Sequence, residues 1–315
     1  MKIKPLSILA RCLFYLLIIG ITIPMTIAVY NLVTFSKAFS FLATEWNDGI
    51  GTKIADLTYA EGQYNNYDLY LPSDTSANSL ILFIHGGAFT SGDKADEDAW
   101  CKYFAAKGYI TASANYSLAK KNSMTNMNMM YDEMLQCVAA IKTECESRGY
   151  RPTQMATSGQ SAGGYLAMLY AYRAKDASPL PVKFVFQQTG PATMAPEDWN
   201  CVTPDDMARF ATVTTGHDIT ATMVSSDEYR KLVEQISPAY LVDNDTPPTI
   251  SAYGPRDKVV PVALKYKLLS RLDSVGARNE YIEFPNSGHA MIGDPDKSQL
   301  FLDKTLEFCK TYFTK

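Results

Sequence analysis

Gly159-Gln160-Ser161-Ala162-Gly163 has the G-x-S-x-G spacing of a serine held on a sharp turn between a strand and a helix. Such a turn brings main chain and side chains so close that glycine is needed at its flanks. It pushes the serine oxygen outward, and the helix behind it points unpaired N–H groups at the same spot. Serine is a poor nucleophile at its own pKa and needs an adjacent base. Two later segments offer the partners: Gly254-Pro255-Arg256-Asp257 and Pro285-Asn286-Ser287-Gly288-His289. A histidine can take the serine proton and return it to a leaving group, and a carboxylate can fix its tautomer. Taken singly, Asp257 reads as a solvated loop carboxylate and Ser161 as a serine in a glycine-rich turn. The order Ser161, Asp257, His289 makes them a candidate triad for acyl transfer.

His85-Gly86-Gly87-Ala88 follows an apolar run directly. Its glycines let the backbone bend so that N–H groups converge on a small cavity, as a developing oxyanion requires. We assign the donors to Gly86 and Gly87, with Ala88 as a further candidate and Ala162 completing the set. His85 is expected to tie this loop in place rather than act as the base, and His217 to lie on the surface. An ordinary strand-end turn would explain the glycines but not the serine motif downstream.

These residues need a frame that delivers them to one edge. Lys53 to Pro72 predicts a β-hairpin turning at Glu61-Gly62, and Ser79–His85 reads as a strand buried on both faces. Further strands are predicted over 109–115, 154–158, 182–187, 248–253 and 280–284. Helices are predicted over 96–107, 129–148, 165–172, 262–274 and 298–313. This alternation argues for an α/β fold with a mostly parallel sheet and helices on both faces. Ligands of such sheets bind at the carboxyl ends of the strands, where each motif above falls. Residues 191–236 break the alternation with a polar, helix-prone insert, expected to be either a small helical lid or a surface decoration.

Composition excludes other classes. The net charge of −4 gives no reason to expect nucleic acid as partner. With three histidines and no Cys/His cluster at zinc spacing, no metal or other cofactor is expected. Five of the six cysteines lie beyond Cys12, an odd number that leaves at least one unpaired. Cys137 and Cys145 fall on one predicted helix, about 12 Å apart, too far for a disulfide.

Residues 1–40 differ from the remainder, 41–315, which is expected to form the catalytic domain. Lys2, Lys4 and Arg11 precede an uncharged apolar stretch from Cys12 to Ser36. About twenty apolar residues span a bilayer, whereas the apolar core of a signal peptide has roughly 7–15. The stretch is therefore read as an uncleaved transmembrane anchor, with the large domain outside the cytoplasm. The alternative is a long signal peptide, removed on secretion.

The chain resembles the α/β-hydrolase superfamily, in particular carboxylesterases similar to hormone-sensitive lipase and bacterial esterases of the acetyl and feruloyl type. The resemblance runs from about Tyr67 to the C-terminus. It rests on Tyr67-Asp68-Leu69-Tyr70-Leu71-Pro72, His85-Gly86-Gly87, Asn115-Tyr116, Gly159–Gly164, Ser237-Pro238-Ala239-Tyr240, Asp257 with Val260-Pro261, and Gly288-His289. It implies a Ser161–His289–Asp257 triad, an oxyanion hole from the HGG loop, and a small-molecule, lipid or carbohydrate ester as substrate. Ala88 stands where many members have a third glycine, and Gln160 where lipase-like members often have an acidic residue, which tilts the chain towards the bacterial esterases. A serine peptidase of the prolyl-oligopeptidase type and a non-catalytic scaffold on the same fold are the alternatives. Nothing in the sequence fixes the acyl group, the alcohol or the oligomeric state.

Overall fold

The computed structural model describes residues 42–120, 124–201 and 203–314. The predicted anchor and its entry lie outside these residues. Among the described residues, no helix is long and apolar enough to cross a membrane.

Among the described residues, eight strands form one sheet: β1 (Gly51–Thr58), β2 (Asn66–Pro72), β3 (Ser79–Ile84), β4 (Ile110–Ala114), β5 (Gln154–Gln160), β6 (Val182–Gln188), β7 (Thr249–Tyr253) and β8 (Asn279–Glu283). Their spatial order is β1-β2-β4-β3-β5-β6-β7-β8. β2 runs antiparallel to β1 and β4, and every pairing from β4 to β8 is parallel. The connections are α1 (Asp98–Ala105), α2 (Met127–Ser147), α3 (Ala162–Arg173), α4 (Pro204–Thr215), α5 (Asp227–Gln235), α6 (Pro238–Leu241), α7 (Ala263–Ser274) and α8 (Pro295–Tyr312).

Strand alternation builds two cores. On β3, Leu80, Leu82 and Ile84 face the layer that holds Met134, Val138, Leu166 and Leu268. Ile81 and Phe83 face the opposite layer, with Phe104, Phe301 and Phe308. Both faces are thus covered, and this is why Ser79–Ile84 reads as an unbroken apolar run. α3 is buried along its whole length except at Arg173. Its tyrosine hydroxyls nevertheless find partners: Tyr165 donates to the Ile236 carbonyl at 2.6 Å, and Tyr172 pairs with Thr249 at 2.7 Å.

Several boundaries move for local reasons. The helix expected from 96 starts as a 3-10 turn, Lys94–Glu97, closed by a reciprocal capping box between Asp93 and Asp96. α2 begins two residues early because Asn126 caps it, accepting from the N–H groups of Asn128 and Met129. α8 begins at Pro295, a residue suited to a helix's first turn. Cys137 and Cys145 do share α2; among the described residues Cys101, Cys137, Cys145, Cys201 and Cys309 are free thiols, all buried except the half-buried Cys201.

The insert folds as a turn at Pro196–Trp199 followed by α4 and α5, around a small cluster of Ala195, Ala211, Ile219, Tyr229 and Val233.

Candidate active site

β5 ends at Gln160 and α3 begins at Ala162, leaving Ser161 alone at the turn with φ 57° and ψ −122°. A non-glycine residue in this region is strained, at a cost on the order of 1–3 kcal/mol, and persists only where its surroundings enforce it. Here they do. The Ser161 N–H donates to the Gln188 carbonyl of β6 at 2.9 Å. A Cβ at position 163 would stand 1.8 Å from the Ile84 carbonyl oxygen, so only glycine lets α3 press this close to β3.

The loops after β7 and β8 lie side by side, joined by the Arg256 N–H donating to the Ser287 carbonyl at 3.2 Å. They bring Asp257 and His289 to the serine. His289 Nδ1 lies 2.8 Å from Asp257 Oδ2, and Nε2 lies 2.8 Å from Ser161 Oγ. With Nδ1–H donating to the carboxylate, Nε2 carries the lone pair that accepts from the serine hydroxyl. The Asp257 carboxylate is only 2 % exposed and also accepts from the N–H groups of Val259 and Val260 at 2.8 and 3.0 Å. Burial opposes its charge. The His289 hydrogen bond and the two backbone donors outweigh that, holding its pKa below the usual carboxylate value.

Two further side chains, those of Gln160 and Asp294, fix the histidine loop. Gln160 Nε2 donates to the His289 carbonyl at 3.1 Å. Asp294 accepts from the Asn286 backbone N–H at 3.0 Å and from the Ser287 hydroxyl at 2.6 Å.

On the other side of Ser161 is the loop that follows β3. Gly87 has φ 108°, and a Cβ there would fall 2.0 Å from the Ser91 carbonyl oxygen. Ala88 and Phe89 also have positive φ, 52° and 64°. The Gly87 carbonyl is occupied by the N–H groups of Thr90 and Ser91. Among the described residues, the N–H groups of Gly86, Gly87 and Ala88 meet no acceptor, and that of Ala162 sits in the first turn of α3, where no intrahelical partner exists. His85 is buried, donates from Nδ1 to the Gly86 carbonyl at 2.7 Å and stacks on Tyr116. Burial lowers its pKa, and it takes no part in the Ser161–His289–Asp257 chain. His217 is exposed on the insert.

Two cavities meet at Ser161, sharing Ala88 and Val259 as walls. The larger, about 840 Å³, reaches past His289 to Trp100 and Glu97. The smaller, about 220 Å³, is walled by Phe89 and by Met194, Trp199 and Phe210 of the insert. Among the described residues no cluster of His, Cys, Asp or Glu is arranged to hold a metal ion.

The model of the BD-FAE family matches residues 67–272, more than half of the chain. The chain belongs to the BD-FAE family. The match takes in the HGG loop, Ser161 and Asp257 and ends before His289. Esterase LipC of Mycobacterium tuberculosis is 25 % identical over 226 residues, covering 68 % of this chain and 53 % of LipC, so the chain spans about half of that relative's length. Among solved structures, a truncated carbohydrate esterase from gut microbiota superposes with a TM-score of 0.68 at 22 % identity, covering 85 % of this chain and 99 % of the other. Esterase B from Lactobacillus rhamnosis gives 0.68 at 17 % identity, covering 91 % and 96 %. These likenesses establish the α/β-hydrolase architecture of this BD-FAE member, with its parallel sheet covered on both faces.

Sequence reasoning missed several supports. Asp294 and Glu97 carry no motif signal. Lys94 is buried beside Asp68 at 3.0 Å, while its backbone N–H donates to Asn115 Oδ1 at 2.7 Å. Asp68 and Asn115 thus both hold the segment that follows the HGG loop.

Proposed function

We propose that the chain is a carboxylic ester hydrolase working through an acyl-enzyme. The observation that carries this reading is the continuous hydrogen-bonded chain from Asp257 through His289 to Ser161 Oγ, opposite unpaired backbone donors. Family membership and the named esterases among the relatives support it.

In this reading Ser161 Oγ attacks the ester carbonyl carbon as its proton passes to His289 Nε2. The carbonyl oxygen becomes an oxyanion, held by the N–H groups of Gly86, Gly87, Ala88 and Ala162; each such donor is worth on the order of 3 kcal/mol in the transition state. Asp257 stabilises the imidazolium. Collapse breaks the bond to the alcohol oxygen, which leaves with the proton from His289. A water then attacks the acyl-enzyme, giving its proton to His289, and the second collapse releases the acid and restores Ser161. The insert 191–236 acts as a lid that walls the smaller cavity. Residues 12–36 hold the domain to the membrane on the extracytoplasmic side.

Labelling with a fluorophosphonate probe tests the reading directly. Covalent modification at Ser161, lost in Ser161→Ala, is the expected result. A folded chain that takes up no label and cleaves no ester would leave the scaffold alternative. Membrane fractionation with N-terminal sequencing tests the anchor: a mature chain beginning beyond residue 36 and free in the medium would exclude it.

A further inference from the structure

The larger cleft contains a carboxyl group that the reaction above does not use. Glu97 closes the Lys94–Glu97 turn, is 8 % exposed and lines the cleft. Among the described residues its carboxyl makes no hydrogen bond to protein. Among the described residues, the cleft wall has no lysine or arginine to pair with it. Unpaired polar groups buried to this degree are costly unless something else satisfies them.

The direction of the reaction says what that is. The leaving alcohol oxygen must collect its proton from His289 Nε2, so the alcohol departs on the side that His289 lines. His289 and Ala290 line the larger cleft and not the smaller one. The smaller cavity, with Phe89, Met194, Trp199 and Phe210, suits a hydrocarbon acyl chain. We propose that Glu97 is the specificity-determining residue for the alcohol half of the ester, hydrogen-bonding a hydroxyl of an uncharged, polyhydroxylic alcohol in the larger cleft.

Burial, with a smaller contribution from the Asp96 carboxylate, lifts the Glu97 pKa to about 8, so the group is protonated at neutral pH. A neutral carboxyl offers one donor and one acceptor, the complement of a hydroxyl that both accepts and donates. An anionic alcohol would meet Asp96 in the same wall, with no lysine or arginine among the described residues to offset it. A plain alkyl alcohol would leave the carboxyl unpaired.

The inference rests on the esterase reading and is tested with the full chain and three butyrate esters. The first has glycerol as its alcohol (glyceryl monobutyrate), the second ethanol and the third glycolate. The unaltered protein is expected to prefer the glycerol ester over the glycolate ester at least tenfold in kcat/KM. In Glu97→Leu the ratio of kcat/KM for the glycerol ester over the ethyl ester should fall about tenfold, through KM. Glu97→Gln, which keeps a donor and an acceptor, should hold that ratio within about twofold. If Glu97→Leu does not fold, Glu97→Ala gives the same reading. An unchanged ratio in the apolar variant would overturn the role of Glu97, as would a glycolate ester cleaved as well as the glycerol ester. Ester cleavage and Ser161 labelling would persist in that case. A chain that cleaves none of the esters and takes up no fluorophosphonate overturns the esterase reading and this inference together.

Discussion

Gln160 and His289 are joined across the cleft: the Gln160 amide donates to the His289 carbonyl at 3.1 Å. The residue before Ser161 therefore holds the loop that carries His289. Gln160→Glu presents an acceptor to an acceptor and removes the tie. We expect kcat to fall about five- to tenfold, the worth of one hydrogen bond, with KM for ethyl butyrate nearly unchanged. Steady-state kinetics on that ester checks this.

In the proposed mechanism Ser161 makes the attack, so Ser161→Ala should lower turnover by several orders of magnitude. Ser161→Gly should be equally inactive but more stable. Its φ of 57° is easy for glycine, and relief of that strain outweighs the added freedom of the unfolded chain by about 1 kcal/mol. Urea unfolding of both variants separates the two effects.

Asp257 gives the acid limb. Its pKa is depressed in the folded protein, so its contribution is fully present above the ordinary carboxylate value and fades as pH falls through the lower folded value. Asp257→Asn should cost about 1–3 kcal/mol at pH 7 and progressively less below pH 4. Its turnover should drop about 10⁴-fold, because the amide favours the wrong tautomer of His289. Denaturation at the two pH values, with initial rates at pH 7, tests both.

Glu97 acts in the opposite direction. Its folded pKa of about 8 lies above the unfolded value. Between those values the folded chain keeps a proton that the unfolded chain has released, so stability falls as pH rises and levels off above about 8. The slope is on the order of 1 kcal/mol per pH unit. Glu97→Gln should remove it, so the gap in Tm between variant and parent should widen from pH 5 to pH 8.

Gly163→Ala tests the elbow itself. The added methyl would meet the Ile84 carbonyl oxygen at 1.8 Å. Either β3 or α3 must move, at a cost of about 2 kcal/mol or more. The shift should appear as a lower urea midpoint, together with a loss of activity from the displaced serine.

The sequence made the sheet legible because both its faces are covered. Ser79–Ile84 is a continuous apolar run with no competing periodicity, and Val182–Gln188 carries an apolar centre, Phe184-Val185-Phe186, buried on both faces. Ser161, Asp257 and His289 were legible for a different reason: their chemistry demands fixed residue types after successive strands, and the structure places them within hydrogen-bonding distance. Glu97 and Asp294 were not legible. A carboxylate in a turn looks the same in sequence whether water or protein surrounds it, and only the fold decides that Glu97 faces a cleft and that Asp294 receives Ser287. The start of α2 was misplaced by two residues because the cap at Asn126 sits ahead of the first apolar repeat. The insert's polarity concealed that Met194, Trp199 and Phe210 converge on one cavity.

Asp68 on β2 is paired with Lys53 of β1 and Lys94 beyond the HGG loop, each at 3.0 Å, and its side chain is 3 % exposed. Removing one member of a buried ion pair strands the others, at about 3–5 kcal/mol. The antiparallel hairpin, which contributes no group to the chemistry, thus works as a buttress for the donors beside Ser161. A chain trimmed to the parallel strands would retain serine, histidine and aspartate. It would lose the brace behind the glycine loop opposite them, so the same three side chains would face a differently shaped wall.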